Sequence, residues 1–76
     1  MKITIDTAKI PKELLAELAK HIDIPESLSE LANDEEWYIR CIVAENPNTP
    51  PNALSKLAED NSAAVRKLAK SNPNFT

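Results

Sequence analysis

Displaced by 26 positions, much of the chain falls on itself. "PESLSELAND" at Pro25 becomes "PNALSKLAED" at Pro51, so that Leu28, Ser29, Leu31, Ala32 and Asp34 land on Leu54, Ser55, Leu57, Ala58 and Asp60. The identity runs on. Arg40 lands on Arg66 and Asn46-Pro47-Asn48 on Asn72-Pro73-Asn74, while Ile39 and Ile42 find apolar equivalents in Val65 and Leu68. A period of about 20–50 residues means like units stacked in a row, each too small to bury its apolar face alone. The repeat therefore limits the fold more than any other feature. A third motif, "PKELLAELA", begins at Pro11, only 14 residues before Pro25, and marks an incomplete first unit.

Within a unit the spacing is helical. Leu28, Leu31 and Ala32 share one face, as do Leu54, Leu57 and Ala58; Ile39, Ile42 and Val43 line a second helix, matched by Val65, Leu68 and Ala69. The opening helix presents Leu14, Leu15, Leu18 and Ile22. Asp23 with Glu26 three residues later reads as a capping box, and Thr49 takes the capping place in the next copy, followed by Pro50 and Pro51. The expected helices centre on 11–21, 24–33, 37–45, 50–59 and 63–71. The residue before proline avoids helical geometry, so Asn46 and Asn72 end their helices. Asparagine tolerates the left-handed conformation, and this chain has no glycine to supply it. The sequence predicts an all-α protein of one domain, 1–76. Residues 1–22 form a tail and the incomplete unit, 23–48 one repeat, and 49–76 another that ends at the next loop. "KITI" reads as a short extended tail. Either its Ile3 and Ile5 cover the first helix, or it adds to a partner's sheet edge.

The stretch "IRCIVAENPNTPPNALSKLAED" and its echo "VRKLAKSNPNFT" resemble the leucine-rich repeat variant family, bacterial arrays similar in style to HEAT repeats. The resemblance covers about residues 21–76 and is carried by Arg40, Asn46, Pro47, Asn48, Thr49, Pro50, Pro51, Leu54, Leu57 and Ala58. It implies a short right-handed α-solenoid of paired helices, some of them 3₁₀. Some relatives carry a separate cysteine cluster, and this chain does not. No single activity follows from membership, and a solenoid suggests binding by analogy.

Composition narrows the function. A chain of 76 residues hides roughly 60% of its unfolded surface, and the only aromatics are Trp37, Tyr38 and Phe75, so the core must be aliphatic. Cys41 is the one cysteine, which excludes an internal disulfide and a thiolate metal cage. No apolar run approaches the ~20 residues that cross a bilayer, and "MKITIDTAKIP" is not a secretory leader. These features predict a cytoplasmic, soluble protein without a cofactor or metal. The net charge of −3 is uneven: residues 1–39 hold nine acids and four bases, residues 40–76 three acids and five bases.

Few residues invite chemistry. His21 and Cys41 would need a third group to act as a nucleophilic pair, and no glycine-rich phosphate loop exists. His21 reads as a helix-end cation and Cys41, in register with Lys67, as partly exposed. Asp34-Glu35-Glu36 reads as helix-start chemistry rather than a metal site. Asp34/Arg40 and Asp60/Arg66 recur at the repeat period, which favours a ladder in which the aspartate of one unit meets the arginine of its neighbour over Arg40 and Arg66 as anion ligands. The expectation is therefore no enzyme but a small protein-interaction module, an inhibitor or adaptor, with an unidentified protein partner. Its leading contact is Trp37, Tyr38 and Arg40, types enriched at binding hot spots. The repeat does not require the two aromatics, whose equivalents are Ala63 and Ala64. The same two residues could instead fill a gap against the incomplete unit. A competing expectation is nucleic-acid binding through Arg66, Lys67 and Lys70. Weak head-to-tail self-association is a further expectation, since Leu57 and Phe75 would lie at an imperfectly covered end.

Overall fold

The computed structural model describes residues 11–75. Five helices occur among them: α1 (Lys12–His21), α2 (Pro25–Leu31), α3 (Trp37–Glu45), α4 (Pro51–Leu57) and α5 (Ala63–Ser71). No strand occurs among the described residues. The helix centres agree with the sequence reading, and Ile3 and Ile5 of the expected tail lie outside the described residues. The longer helices form a row in which α3 packs against both α1 and α5, and the short helices α2 and α4 run alongside.

The period explains the row. Ile39 and Val43 of α3, and Val65 and Ala69 of α5, are fully buried at i, i+4 spacing, while Ile42 and Leu68 are half-buried at matching positions. Leu28 and Leu54 are sealed in the same way beneath α2 and α4. Each such leucine, isoleucine or valine contributes about 1.5–3 kcal/mol when fully buried. Helix α1 corrects the sequence reading. Its core face is Leu15 and Ala19, whereas Leu14 and Leu18 stand 52% and 42% exposed. The small Ala19 lets the loop after α3 approach closely, and a leucine there would hold it away.

The joints also differ from expectation. Asn46 and Asn72 are extended (φ −69°, ψ 124° and φ −71°, ψ 134°), and no described residue has positive φ. Their buried side chains do the work assigned to a left-handed turn. Asn46 Nδ2 donates to the carbonyls of Ala19 and Ile22, both at 2.9 Å, while its Oδ1 accepts the Asn48 amide. One period on, Asn72 Nδ2 donates to Ala44 and Asn46 at 2.8 and 2.9 Å, and its Oδ1 accepts the Asn74 amide. Carbonyls at the end of one helix are thus satisfied by the asparagine of the next unit.

Neither expected cap forms. Asp23 and Glu26 make no capping box: Ile24 occupies the N-cap of α2, and no side chain caps it. Thr49 is fully buried, and its hydroxyl donates back to the Val43 carbonyl at 2.6 Å, ahead of the Pro50 N-cap. Proline at the first helical position already removes one orphan donor, which lowers the demand for a cap. None of the described helices is 3₁₀, as some were expected to be from the resemblance. Bonds from i to i+3 occur only at helix ends and turns, as at the starts of α3 (Ile39 N to Glu36 O, 3.1 Å) and α4 (Ala53 N to Pro50 O, 3.1 Å) and in the closing turns. Asp34 N bonds Leu31 O and Asp60 N bonds Leu57 O, at 3.0 and 3.1 Å.

Candidate interaction surface

Two aspartates organise the molecule. Asp34 Oδ1 accepts the Glu36 amide and Asp60 Oδ1 the Ser62 amide, both at 2.9 Å, so each turns the chain into the helix that follows. Helix-start chemistry was the expected role of the Asp34-Glu35-Glu36 run, and Asp34 is the residue that performs it.

The remaining carboxylate valence reaches across units. Arg40 grips Asp60 through Nε at 2.7 Å and Nη2 at 3.2 Å, while its Nη1 donates to the Asp34 carbonyl at 2.7 Å. The predicted ladder is there, with side chains only 17% and 10% exposed. Burial alone would raise the Asp60 carboxyl. The Arg40 hydrogen bonds, the Ser62 amide and the charges of Arg40 and Arg66 outweigh it and hold Asp60 below the usual carboxylate value. One unit earlier Lys12 stands in for arginine, its ammonium 3.0 and 3.1 Å from the two Asp34 oxygens. Those bonds to Asp34 raise the Lys12 ammonium above its ordinary value, against a lesser lowering by burial.

The ladder changes how the predicted contact residues read. Trp37, Arg40, Cys41 and Ala44 do share a helix face, but Cys41 and Ala44 are buried and Arg40 is committed to Asp60 and Asp34. Only Trp37 emerges from that face, 54% exposed. Tyr38 is half-buried against the core and meets Trp37 edge-on, ring centroids 6.2 Å apart at 86°. Burial, then the charge of Glu36, pushes its phenol up. Beside Trp37 lies a shallow open hollow lined by Arg40, Asn61, Ser62, Ala63 and Ala64. Its floor is made of the small residues that take the place of Trp37 and Tyr38 one period later. The register itself was the signal that could have found the hollow.

On α5, Lys67 and Lys70 are exposed and Arg66 is partly so. Arg66 Nη1 donates to the Asp60 and Asn61 carbonyls at 2.7 and 3.1 Å. The chain from Ala63 to Ser71 holds no acid.

Cys41 is buried rather than partly exposed, and burial, then Glu45 and Asp60, raise its thiol against a smaller lowering by Arg40. His21 ends α1 and is exposed, and no hydrogen bond among the described residues joins it to Cys41. Among the described residues no three acids, histidines or cysteines cluster as metal ligands. No helix among them is long and apolar enough to cross a membrane.

Comparison with known proteins adds one decisive match. Residues 37–62 fit the family described as leucine rich repeat variant. This stretch is similar to a leucine rich repeat variant unit. The matched repeat has the length of the sequence period, and its frame opens at α3, runs through the Asn-Pro-Asn joint and α4, and closes at Ser62. Repeats of that family are non-catalytic helical scaffolds, often involved in protein interaction. Neither a curated protein nor a solved structure gives a significant match.

Proposed function

We propose that this chain is a small, non-catalytic protein-interaction module, an adaptor or inhibitor of cytoplasmic type, that engages a protein partner through Trp37 and the hollow beside it. The carrying observation is Trp37 itself. A large indole stands more than half exposed on a helix whose equivalent one period later carries alanine. The scaffold does not use most of its area, and exposed tryptophan beside a small-residue floor is the composition of a binding hot spot. Tyr38 sets the indole's orientation from below, and Arg40 stiffens the rim through Asp60. The acidic first half suits a basic partner.

The test is capture of a partner on immobilised protein, followed by competition with the Trp37→Ala variant. Loss of capture at unchanged melting temperature supports the reading. Undiminished capture by Trp37→Ala removes Trp37 from it.

A second reading has its own observation: the acid-free α5 displays Arg66, Lys67 and Lys70 together. Such a face could meet nucleic-acid phosphates. Steeply salt-dependent binding of oligonucleotides, lost on replacing these three residues, would favour it over the protein partner.

A further inference from the structure

The repeat shows what one of its own arginines holds when the next unit is in place. Arg40 spends Nη1 on the carbonyl of Asp34 and offers Nε and Nη2 to the carboxylate of Asp60. Arg66 spends Nη1 in the same way, on the carbonyl of Asp60, and is fixed again by Asn61. Its Nε and Nη2 have no partner among the described residues. The fork is already oriented for a carboxylate, so binding one costs little side-chain ordering. The backbone repeats the pattern. Asn72 takes the carbonyls of Ala44 and Asn46, and their equivalents are those of Lys70 and Asn72.

The same register shows what this face excludes. Cys41 and Ala44 are buried on α3, which has α5 beyond it, and their equivalents on α5 are the exposed Lys67 and Lys70. An apolar helix laid here would bury two unpaired ammonium groups, at a cost of several kcal/mol each. An acidic helix would neutralise them.

From this we infer that the outward face of α5, formed by Arg66, Lys67 and Lys70, is a receptor for an acidic helix of a partner protein. The aspartate that precedes this helix enters the Arg66 fork as Asp60 enters that of Arg40. Among the described residues, a second copy of this chain has no aspartate ahead of its first helix in that register. Asn72 bonds the carbonyl of Asn46 as Asn46 bonds that of Ile22, so Ile22 stands where Asn46 stands one unit later. By that count the position of Asp34 falls on an isoleucine of the sequence, Ile10, rather than on an acid. The inference rests on the chain being an interaction module, but not on Trp37.

The probe is a synthetic peptide that starts Asp-Asn-Ser, as residues 60–62 do, and continues as a helix with glutamates on one face. Its control starts Asn-Asn-Ser. Nuclear magnetic resonance of the intact chain follows the Arg66 Nε–H and Trp37 Nε1–H signals separately. The expected result is a saturable shift at Arg66 that the control peptide needs about tenfold more to produce. Arg66→Lys, which keeps the charge and loses the fork, should weaken the aspartate peptide to the level of the control. Equal response to both peptides, or none at Arg66, overturns the proposal; a shift at Trp37 alone does so while leaving the proposed function standing. Stronger binding of an oligonucleotide at Arg66 than of the aspartate peptide would assign the face to nucleic acid and overturn it as well. So would a shift that depends only on the protein's own concentration, which would assign the face to a second copy.

Discussion

Asn46 carries three obligations at once: two donated bonds to Ala19 and Ile22 and one accepted from Asn48, all inside the protein. Its substitution by aspartate removes both donors and points a charge at two carbonyls. Asn46→Asp is expected to cost about 3–5 kcal/mol, more than Asn46→Ala, which leaves the carbonyls unpaired without adding repulsion. Denaturant titration of the two variants measures the order. Asp60 makes a different prediction. Its folded-state pKa is depressed, so its stabilisation is present above the unfolded value, near pH 4, and is lost as pH falls through the lowered folded value. Asp60→Asn should be less stable at pH 7 yet lose less stability on acidification, as thermal melts from pH 7 to pH 2 would show. The Arg40–Asp60 ladder was legible because identical residues recurred at one spacing. The asparagine joint was only half legible: proline showed where the helix stops, but local preference could not show a side chain reaching 24–27 residues back along the sequence.

At the scale of helices, burial rather than residue type decides behaviour. Helix α3 has a neighbour on each side, so even its polar-looking face is covered; α5 has none beyond it among the described residues. Cys41 and Lys67 are equivalent in sequence and opposite in exposure. Cys41→Lys should therefore abolish cooperative folding, whereas Lys67→Cys should shift stability by no more than about 0.5 kcal/mol. The native Cys41 thiol should also react with a disulfide reagent only as fast as the chain opens, a rate that denaturant would raise. The sequence reading missed this covered face because Cys41 and Ala44 are small, and a register comparison with Lys67 suggested exposure. It erred on α1 for the converse reason. Leu14 and Leu18 are the more hydrophobic pair, but close approach at Ala19 set the inward direction.

For the whole molecule, the ground for self-association through the C-terminal unit is reduced. Leu57 is 1% exposed and Phe75 is half-buried against the core, so the two apolar residues expected at an open end are largely covered. Besides Trp37 and Ile24, exposed apolar surface lies on α1, where Leu14 and Leu18 are flanked by Glu13 and Glu17. Sedimentation over a wide concentration range should give the monomer mass at high salt; growth in mass at low salt, abolished by Leu18→Glu, would place a second copy there. The asparagine joints also bear on length. Each unit receives a side-chain amide from the unit after it and offers its own to the unit before it. The structure can therefore be spliced. A duplicated segment of residues 37–62 would meet at both seams the partners it already has, whereas one residue more or fewer would rotate the following helix by about 100° and strand its asparagine. Gene duplication could thus lengthen such a protein in whole-period steps, each a working molecule, with little selection needed to repair the seam.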